Sequence, residues 1–116
     1  MCYNTIMSWK IVYYSSAIES KILALPPGLL ARYLRLTDMM IMHGSNLGLP
    51  HTKFIDTGLF ELRLKSKEGI ARIFYATVVN RKIVMLHSFT KKSQKIPLKE
   101  LQIAKKRLKE VKENDT

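Results

Sequence analysis

The chain of 116 residues carries 20 Lys and Arg against nine Asp and Glu, which gives a formal net charge of +11. Hydrophobic residues make up 47% and charged residues 25%, a balance that indicates a folded domain and excludes a disordered chain. The length allows one domain with one hydrophobic core.

The positive charge lies mostly in the second half of the chain. Residues 53–116 carry 16 basic and seven acidic side chains, whereas residues 1–52 carry four and two. A folded domain with its positive charge gathered in one half attracts polyanions and speeds their encounter. Nucleic acid is therefore the leading candidate partner, ahead of acidic lipid headgroups and an acidic protein.

Cysteine content and hydropathy indicate the cellular compartment of the protein. The single cysteine, Cys2, excludes an internal disulfide and fits a reducing cytoplasm. No apolar run approaches the ~20 residues that a membrane span needs, and the N-terminus lacks the pattern of a signal peptide. We expect a cytoplasmic protein with no membrane partner. A flexible extension over residues 1–7, one domain over residues 8–112 and a flexible tail over residues 113–116 are the expected organisation.

The first half predicts one strand followed by a helical hairpin. Aromatic and β-branched residues over positions 9–14 favour a strand. Ser16 and Glu19 have the spacing of a capping box, so a helix is expected from Ser16 to the Pro-Pro-Gly at 26–28. A second helix is expected over residues 29–42, with Gly44 as its terminator. Its predicted buried stripe consists of Leu30, Tyr33, Leu34, Thr37 and Ile41.

The second half predicts strands and a final helix. After turn residues at 44–52, Phe60, Leu62 and Leu64 alternate with charged residues, which indicates a strand with one buried face. Residues 70–79 are apolar on both faces, as in a central strand, residues 83–89 form another buried strand, and residues 53–56 form a weaker one. An amphipathic helix starts at Pro97. Its apolar stripe consists of Leu98, Leu101, Ala104, Leu108 and Val111.

These elements predict an α+β fold in the order β-α-α-β-β-β-β-α. We expect an antiparallel sheet of four or five strands, with the helical hairpin packed on one face. The period of the hydrophobic pattern, two in the strands and 3.6 in the helices, is the basis of this assignment.

Metal and phosphate-loop chemistry find no support in the sequence. His43, His51 and His87 lack the spacing of metal ligands and have no cysteine or carboxylate cluster beside them. Gly44 and Gly48 lack the Lys and Ser or Thr that complete a phosphate-binding loop. We therefore expect no metal and no other cofactor.

Cationic residues are the remaining candidates for chemistry. Arg63 and Lys65 project from the polar face of one strand, and Arg72 lies inside an apolar run. If Lys65, Arg72 and Lys91 converge, they enclose a phosphodiester site, because arginine binds phosphate oxygens bidentately and lysine supplies a point charge or a proton. The alternatives are an ordinary solvated face for the strand cations and a structural ion pair of Arg72 with Glu61.

Three motifs in the second half carry a family resemblance. They are LFELR at residues 59–63, ARIFY at residues 71–75 and LHSFTKKSQKIP at residues 86–97, followed by a helix with Glu100, Ala104 and Arg107. In these motifs the chain resembles the phage-derived, HigB-like branch of the RelE/ParE toxin superfamily. The likeness covers most of residues 8–112, by motif in the second half and by architecture in the first.

The resemblance implies a toxin of a type II toxin–antitoxin pair. Such toxins act as ribosome-dependent mRNA endonucleases, which cut mRNA in the ribosomal A site without a metal and block translation. The RNA 2′-hydroxyl is the nucleophile, in line with the departing 5′-oxygen. The implied partners are the ribosome, the mRNA and a cognate antitoxin, expected to be a small helix-turn-helix protein.

The resemblance also assigns residues by position. Arg72 resembles the family's phosphate-holding arginine and Arg63 a residue of its active face, and these two are expected to be catalytic together with Lys91 and Lys92. The expected RNA-binding residues are Lys65, Tyr75, His87 and Lys95.

Two departures from the family pattern leave the proton-transfer roles open. Glu61 stands where some RelE proteins place a lysine, and no tyrosine follows residues 91–92. His87 or a lysine is the candidate to replace these groups, although Tyr75 and His87 also fit as core residues with satisfied hydrogen bonds. A gyrase-inhibiting toxin of the ParE kind and a non-catalytic basic domain are the alternative functions, since fold resemblance alone does not separate them.

Overall fold

A computed structural model of the chain describes residues 8–78, 80–90 and 96–115. Within these residues the chain forms five strands and three helices in the predicted order, so the α+β class is confirmed. The predicted extension over residues 1–7 lies outside the described residues. The elements are β1 (Lys10–Tyr13), α1 (Ser16–Leu23), α2 (Pro27–His43), β2 (Thr52–Asp56), β3 (Leu59–Ser66), β4 (Gly69–Val78), β5 (Lys82–Thr90) and α3 (Leu98–Asp115).

The five strands form one mixed sheet in the order β1-β5-β4-β3-β2. Strands β2 to β5 are antiparallel neighbours, whereas β1 runs parallel to β5, with Lys10 opposite Lys82 and Tyr13 opposite Met85. The prediction of a wholly antiparallel sheet is therefore wrong for β1. Antiparallel neighbours arise from tight hairpins, but α1 and α2 follow β1 and carry the chain across one face before the hairpins begin.

The sheet lies between two helical layers. Helices α1 and α2 bury Ile22, Tyr33 and Met40 against one face of the sheet, where Leu62 and Ile73 are fully buried. Helix α3 packs on the other face. Its contacts there are the buried residues Ala104 and Leu108 of the helix and Leu59, Phe74, Ala76 and Leu86 of the sheet. Two covered faces explain why β4 is apolar on both sides apart from Arg72 and Thr77.

The N-terminal ends of α1 and α2 differ from the prediction. Ser15, not Ser16, caps α1, because its extended backbone lets Oγ accept a hydrogen bond from the Ile18 amide at 3.2 Å. Helix α2 begins two residues early, at Pro27, and Pro26 offers no side-chain cap. The Glu68 carboxylate from the β3–β4 turn replaces that cap by accepting from the Gly28 amide at 2.5 Å.

The buried stripe of α2 is rotated from the predicted one. Tyr33 and Thr37 are buried as expected, but Leu34 is 48% exposed. The buried row is Leu29, Tyr33, Leu36, Thr37 and Met40. Because α2 crosses the sheet at an angle set by its neighbours, the sequence alone left two adjacent rows of apolar residues to choose from.

Helix α3 starts directly after Pro97 as predicted, but it differs from the prediction in the burial of its first turn and in where it ends. Leu98, expected in its apolar stripe, is 67% exposed in the first turn. The helix continues to Asp115, so the predicted tail over residues 113–116 is helical as far as that residue. No helix in the described part of the chain combines the length and the apolar character that crossing a membrane requires.

Candidate functional site

An open pocket of about 350 Å³ lies at the edge of β3. Strand β2 begins at Thr52, opposite Leu62, whereas β3 continues to Ser66. One further hydrogen bond, from the Arg63 amide to the His51 carbonyl at 2.8 Å, extends the pairing before the pocket opens. The pocket is lined by Arg32, Pro50, His51, Arg63, Leu64, Lys65, Ile70 and Arg72.

The charged groups that line this pocket are all cations. They come from helix α2 and from strands β3 and β4, and among the described residues no carboxylate joins the lining. A concave surface with one sign of charge concentrates field lines and raises the local concentration of anions. Of the three cations whose convergence would enclose a phosphodiester site, Lys65 and Arg72 line this pocket together with Arg63, and Lys91 lies outside the described residues.

Glu61 holds the two arginines of the sheet together. Arg63 and Arg72 are directly opposite each other in the β3–β4 register, where like charges repel. Glu61 Oε1 accepts a hydrogen bond from Arg72 Nη1 at 2.8 Å and lies 3.7 Å from Arg63 Nε. The Arg72–Glu61 ion pair, the structural alternative raised by the sequence, is confirmed.

Burial of this pair was not expected from the alternating pattern. The Glu61 side chain is 0% exposed and that of Arg72 is 5% exposed, so the prediction of an open polar face is wrong at Glu61. Glu61 Oε2 and Arg72 Nε are buried without a hydrogen-bond partner among the described residues. Unpaired buried polar atoms cost stability, which favours a functional reason for keeping the cluster.

His87 belongs to a different cluster, beneath α3. A β-bulge places Phe74 opposite His87 but Tyr75 opposite Met85, which turns His87 toward the helix. His87 Nε2 lies 2.6 Å from Glu100 Oε1, and Arg107 Nη1 donates to the Leu86 carbonyl at 2.8 Å. Burial lowers the pKa of His87 below its usual value of 6.5, although Glu100 opposes this shift.

The two clusters are separated, so His87 is not brought to the pocket. In the register, Arg72 is opposite Phe89 and Phe74 is opposite His87. The rings of Phe74 and Phe89 stack at 5.4 Å, and His87 is not among the residues that line the pocket. His87 therefore contacts α3, and its predicted contact with RNA would require that helix to move.

Tyr75 points to the opposite face of the sheet. It is fully buried against α1 and α2, and its hydroxyl donates to the Ser45 carbonyl at 2.6 Å. Burial raises the pKa of its hydroxyl. Tyr75 has no exposed surface to offer RNA, because alternate residues of a strand face opposite sides and Tyr75 is three residues from Arg72.

The remaining predicted site residues are Lys91, Lys92 and Lys95, which lie outside the described residues. Thr90, the residue before them, pairs with Ala71, the neighbour of Arg72. The chain therefore leaves β5 beside the strand that carries the pocket's buried arginine.

Sequence reasoning missed Arg32 and His51. Arg32 is one of several exposed polar residues of α2, and His51 follows Pro50 in a turn segment. Neither position carries a local signal, because only the packing of α2 and the turn against the edge of β3 brings them together. In the described ranges, no three His, Cys, Asp or Glu side chains cluster as metal ligands would.

Comparison with known proteins identifies a family. The family model described as "Phage derived protein Gp49-like (DUF891)" matches residues 20–109. No curated protein matches the chain. Among solved structures, the chain is similar to a chain in the crystal structure of the archaeal RelE-RelB complex from Pyrococcus horikoshii OT3, with 15% identity, a TM-score of 0.49, and coverage of 72% of this chain and 96% of that chain. The family match confirms the phage-derived character of the predicted relationship, and the HigB-like branch stays a prediction.

Proposed function

The chain belongs to the Gp49-like family of phage-derived proteins, and we propose that it is the toxin of a type II toxin–antitoxin pair, a ribosome-dependent mRNA endonuclease. The observation that carries this proposal is the cationic pocket, in which Arg63, Lys65 and Arg72 surround one concave site. Arg63 and Arg72 are positions where the second-half motifs resemble the active face of RelE/ParE toxins, and Lys65 adds a third cation beside them.

The pocket suits in-line cleavage of a phosphodiester. The RNA 2′-oxygen forms a bond to phosphorus while the bond to the 5′-oxygen breaks, so negative charge grows on the phosphoryl oxygens. Glu61 engages one terminal nitrogen of Arg72 and thereby orients a guanidinium with five N–H donors. Arg63, directly opposite, supplies a second cation. The negative charge on the oxygens of the pentavalent phosphorus is then compensated by groups that are already in position.

Proton transfer completes the reaction. The 2′-hydroxyl must lose a proton to a base, and the departing 5′-oxygen must gain one from an acid. Of the two kinds of group that the sequence leaves open, His87 lies under α3, whereas Lys65 is exposed and lines the pocket. This placement favours a lysine, either Lys65 or one of those that follow β5.

The proposed partners follow from the same charge. An acidic segment of an antitoxin, expected to be a helix-turn-helix protein, is complementary to the basic half and would cover the pocket. Ribosomal RNA and mRNA offer the same complementarity through their phosphates. The pocket must be free for the ribosome and covered in the antitoxin complex.

Growth arrest provides the first test. Expression of the chain without an antitoxin should stop methionine incorporation before thymidine incorporation falls, because translation is the proposed target. Induction of the DNA-damage response with normal translation would instead identify a gyrase-inhibiting toxin. Unchanged incorporation of both labels would leave the non-catalytic basic domain.

Cleavage of mRNA on programmed ribosomes provides the second test. Arg63→Ala and Arg72→Lys should each lower the cleavage rate by roughly 10²–10³, the usual cost of losing one preorganised contact to a transition state. Both variants should fold, because Arg63 is 29% exposed and Arg72→Lys keeps a cation beside Glu61. Lys67→Ala, which removes an exposed cation at the β3–β4 turn, is the matched control. Cleavage at the wild-type rate in both arginine variants would exclude the pocket as the active site.

A further inference from the structure

The pocket continues around the edge of the sheet. Arg63, Lys65 and Arg72 project from the face that α3 covers elsewhere, whereas Arg32 comes from α2, which packs on the opposite face. The reaction described above uses only the first group. An extended ligand that contacts both groups must therefore cross the edge of β3, between residue 63 and the end of the strand.

The edge itself offers apolar surface and an imidazole. Pro50 and Ile70 retain exposed surface and line the pocket together with the cations and His51. Apolar or aromatic surface flanked by cations is the combination that binds single-stranded RNA, because an unstacked base contacts the apolar surface while its phosphates contact the cations. A volume of about 350 Å³ is within the range of small-ligand pockets.

The turn that carries His51 is crosslinked by its own hydrogen bonds. The amides of His51 and Thr52 both donate to the Gly48 carbonyl at 3.0 Å. Asn46 Oδ1 accepts from the Gly48 amide at 3.1 Å and from Thr52 Oγ1 at 2.9 Å. The bond from the Arg63 amide to the His51 carbonyl then joins this turn to the arginine pair, so the two halves of the pocket are positioned relative to each other.

We propose that Arg32 and His51 form a nucleotide subsite for single-stranded RNA, next to the phosphate held by Arg63 and Arg72. Arg32 contacts the flanking phosphate, and the base lies against His51 and Pro50. This inference rests on the proposed nuclease function and adds the substrate form to it. Duplex RNA is excluded because its stacked bases are not available to such a pocket.

Binding of a short oligonucleotide to the free protein tests the subsite without the ribosome. A fluorescein-labelled pentaribonucleotide would be titrated with the purified protein and its anisotropy measured across a range of salt concentrations. Arg32→Ala should weaken binding roughly tenfold and reduce the slope of log K against log salt by about 0.7, the value for one phosphate contact to a single strand. His51→Ala should weaken binding roughly tenfold at an unchanged slope, because stacking on a base does not release counterions.

The same helix and the same residue types supply matched controls. Arg35→Ala removes an exposed arginine of α2 that does not line the pocket, and His43→Ala removes an exposed histidine at the end of α2. Both controls should bind the pentaribonucleotide within about twofold of wild type, because only long-range electrostatics changes. Equal losses in Arg32→Ala and Arg35→Ala would overturn the subsite in favour of nonspecific attraction.

Two further probes separate the possible outcomes. Binding of the pentaribonucleotide annealed to its complement should no longer depend on His51. A glutamate-rich peptide of equal charge is the second probe. If its binding depended equally on Arg32 and His51, the subsite would be overturned in favour of an antitoxin contact. If wild-type protein cleaves mRNA on ribosomes and Arg32→Ala binds and cleaves as well as wild type, the subsite alone would be overturned. Wild-type protein that binds the oligonucleotide through Arg32 and His51 but never cleaves mRNA would overturn the nuclease function alone.

Discussion

Two buried polar clusters lie on one face of the sheet, and they differ in how completely their polar atoms are hydrogen-bonded. At one end Glu61 pairs with Arg72 at 2.8 Å, yet Glu61 Oε2 and Arg72 Nε have no partner among the described residues. At the other end His87 meets Glu100 at 2.6 Å and Arg107 at 3.4 Å, beneath α3. In the β4–β5 register, Phe89 is opposite Arg72 and Phe74 is opposite His87, and the two rings stack at 5.4 Å.

The comparison shows how hydrogen bonding distinguishes a buried cluster that attaches a helix to the sheet from one that can bind a ligand. The cluster beneath α3 joins two elements and satisfies its groups, and Arg107 additionally lies over the ring of Tyr14 at 4.8 Å. Among the described residues, the arginine pair and Glu61 connect two neighbouring strands, retain polar atoms without a hydrogen-bond partner and face an open pocket. We therefore interpret the cluster beneath α3 as one that attaches this helix to the sheet, and the arginine pair as a candidate anion-binding site.

The largest expected effect is on stability at the arginine pair. Arg72→Ala removes the hydrogen-bonded partner of the buried Glu61 carboxylate and leaves it only Arg63, whose Nε lies 3.7 Å away. The substitution should lower the free energy of unfolding by about 3–5 kcal/mol. Urea denaturation, followed by far-ultraviolet circular dichroism, measures this loss.

Replacement of both partners sharpens that result. The double variant Glu61→Leu/Arg72→Leu should recover most of the lost stability, because a well-packed apolar pair often matches a buried ion pair. It should nevertheless remain inactive in mRNA cleavage. A single Arg72→Ala variant as stable as wild type would show that the buried charge is satisfied in another way.

A smaller effect on stability is expected at the cluster beneath α3. Arg107→Ala removes the hydrogen bond to the Leu86 carbonyl and should lower the free energy of unfolding by roughly 1.5–3 kcal/mol, as for hydrogen bonds to charged groups. The pentaribonucleotide should bind this variant as it binds Lys106→Ala, which removes an exposed cation of the same helix. A selective loss of oligonucleotide binding in Arg107→Ala would merge the two clusters into one functional site.

The smallest expected effect is a pH dependence at His87. Burial lowers its pKa in the folded state, against the opposing effect of Glu100, and Lys21 of α1 and Arg107 of α3 also disfavour the charged ring. The unfolded chain then binds a proton more readily, so the stability from His87 is complete above its ordinary pKa of 6.5 and is lost as pH falls through the folded value.

Urea midpoints of wild type and His87→Gln, each measured at about pH 7.5 and about pH 5.5, test this dependence on the histidine. The wild-type midpoint should fall more on acidification than that of the variant. Equal shifts in the two proteins would assign the pH dependence to other groups.

Local patterns predicted the elements well because they depend on periods of two and 3.6 residues. The order of all eight elements, the terminating role of Gly44 and the start of α3 after Pro97 follow from such patterns. Boundaries were less accurate where a distant group intervened. Glu68, 40 residues away, caps α2, and no local rule contains that contact.

The candidate site was only partly predictable. Arg63 and Arg72 were named from motifs, Lys65 was named from the polar face of its strand, and the Glu61–Arg72 pair was weighed as an alternative. The phase of the α2 stripe and the burial of Glu61 were not foreseen, because alternation along a strand says which residues share a face but not how deeply that face is covered.

The amino-acid sequence by itself determined the secondary structure, the concentration of positive charge in the second half and the family to which the chain belongs. Only the tertiary structure decided which cations share a pocket. Strand β3 is longer than its neighbour β2, and α2 passes beside the uncovered part, so Arg32 and His51 reach the same cavity as Arg72. Such convergence depends on strand lengths and helix packing between distant segments, which no local pattern encodes.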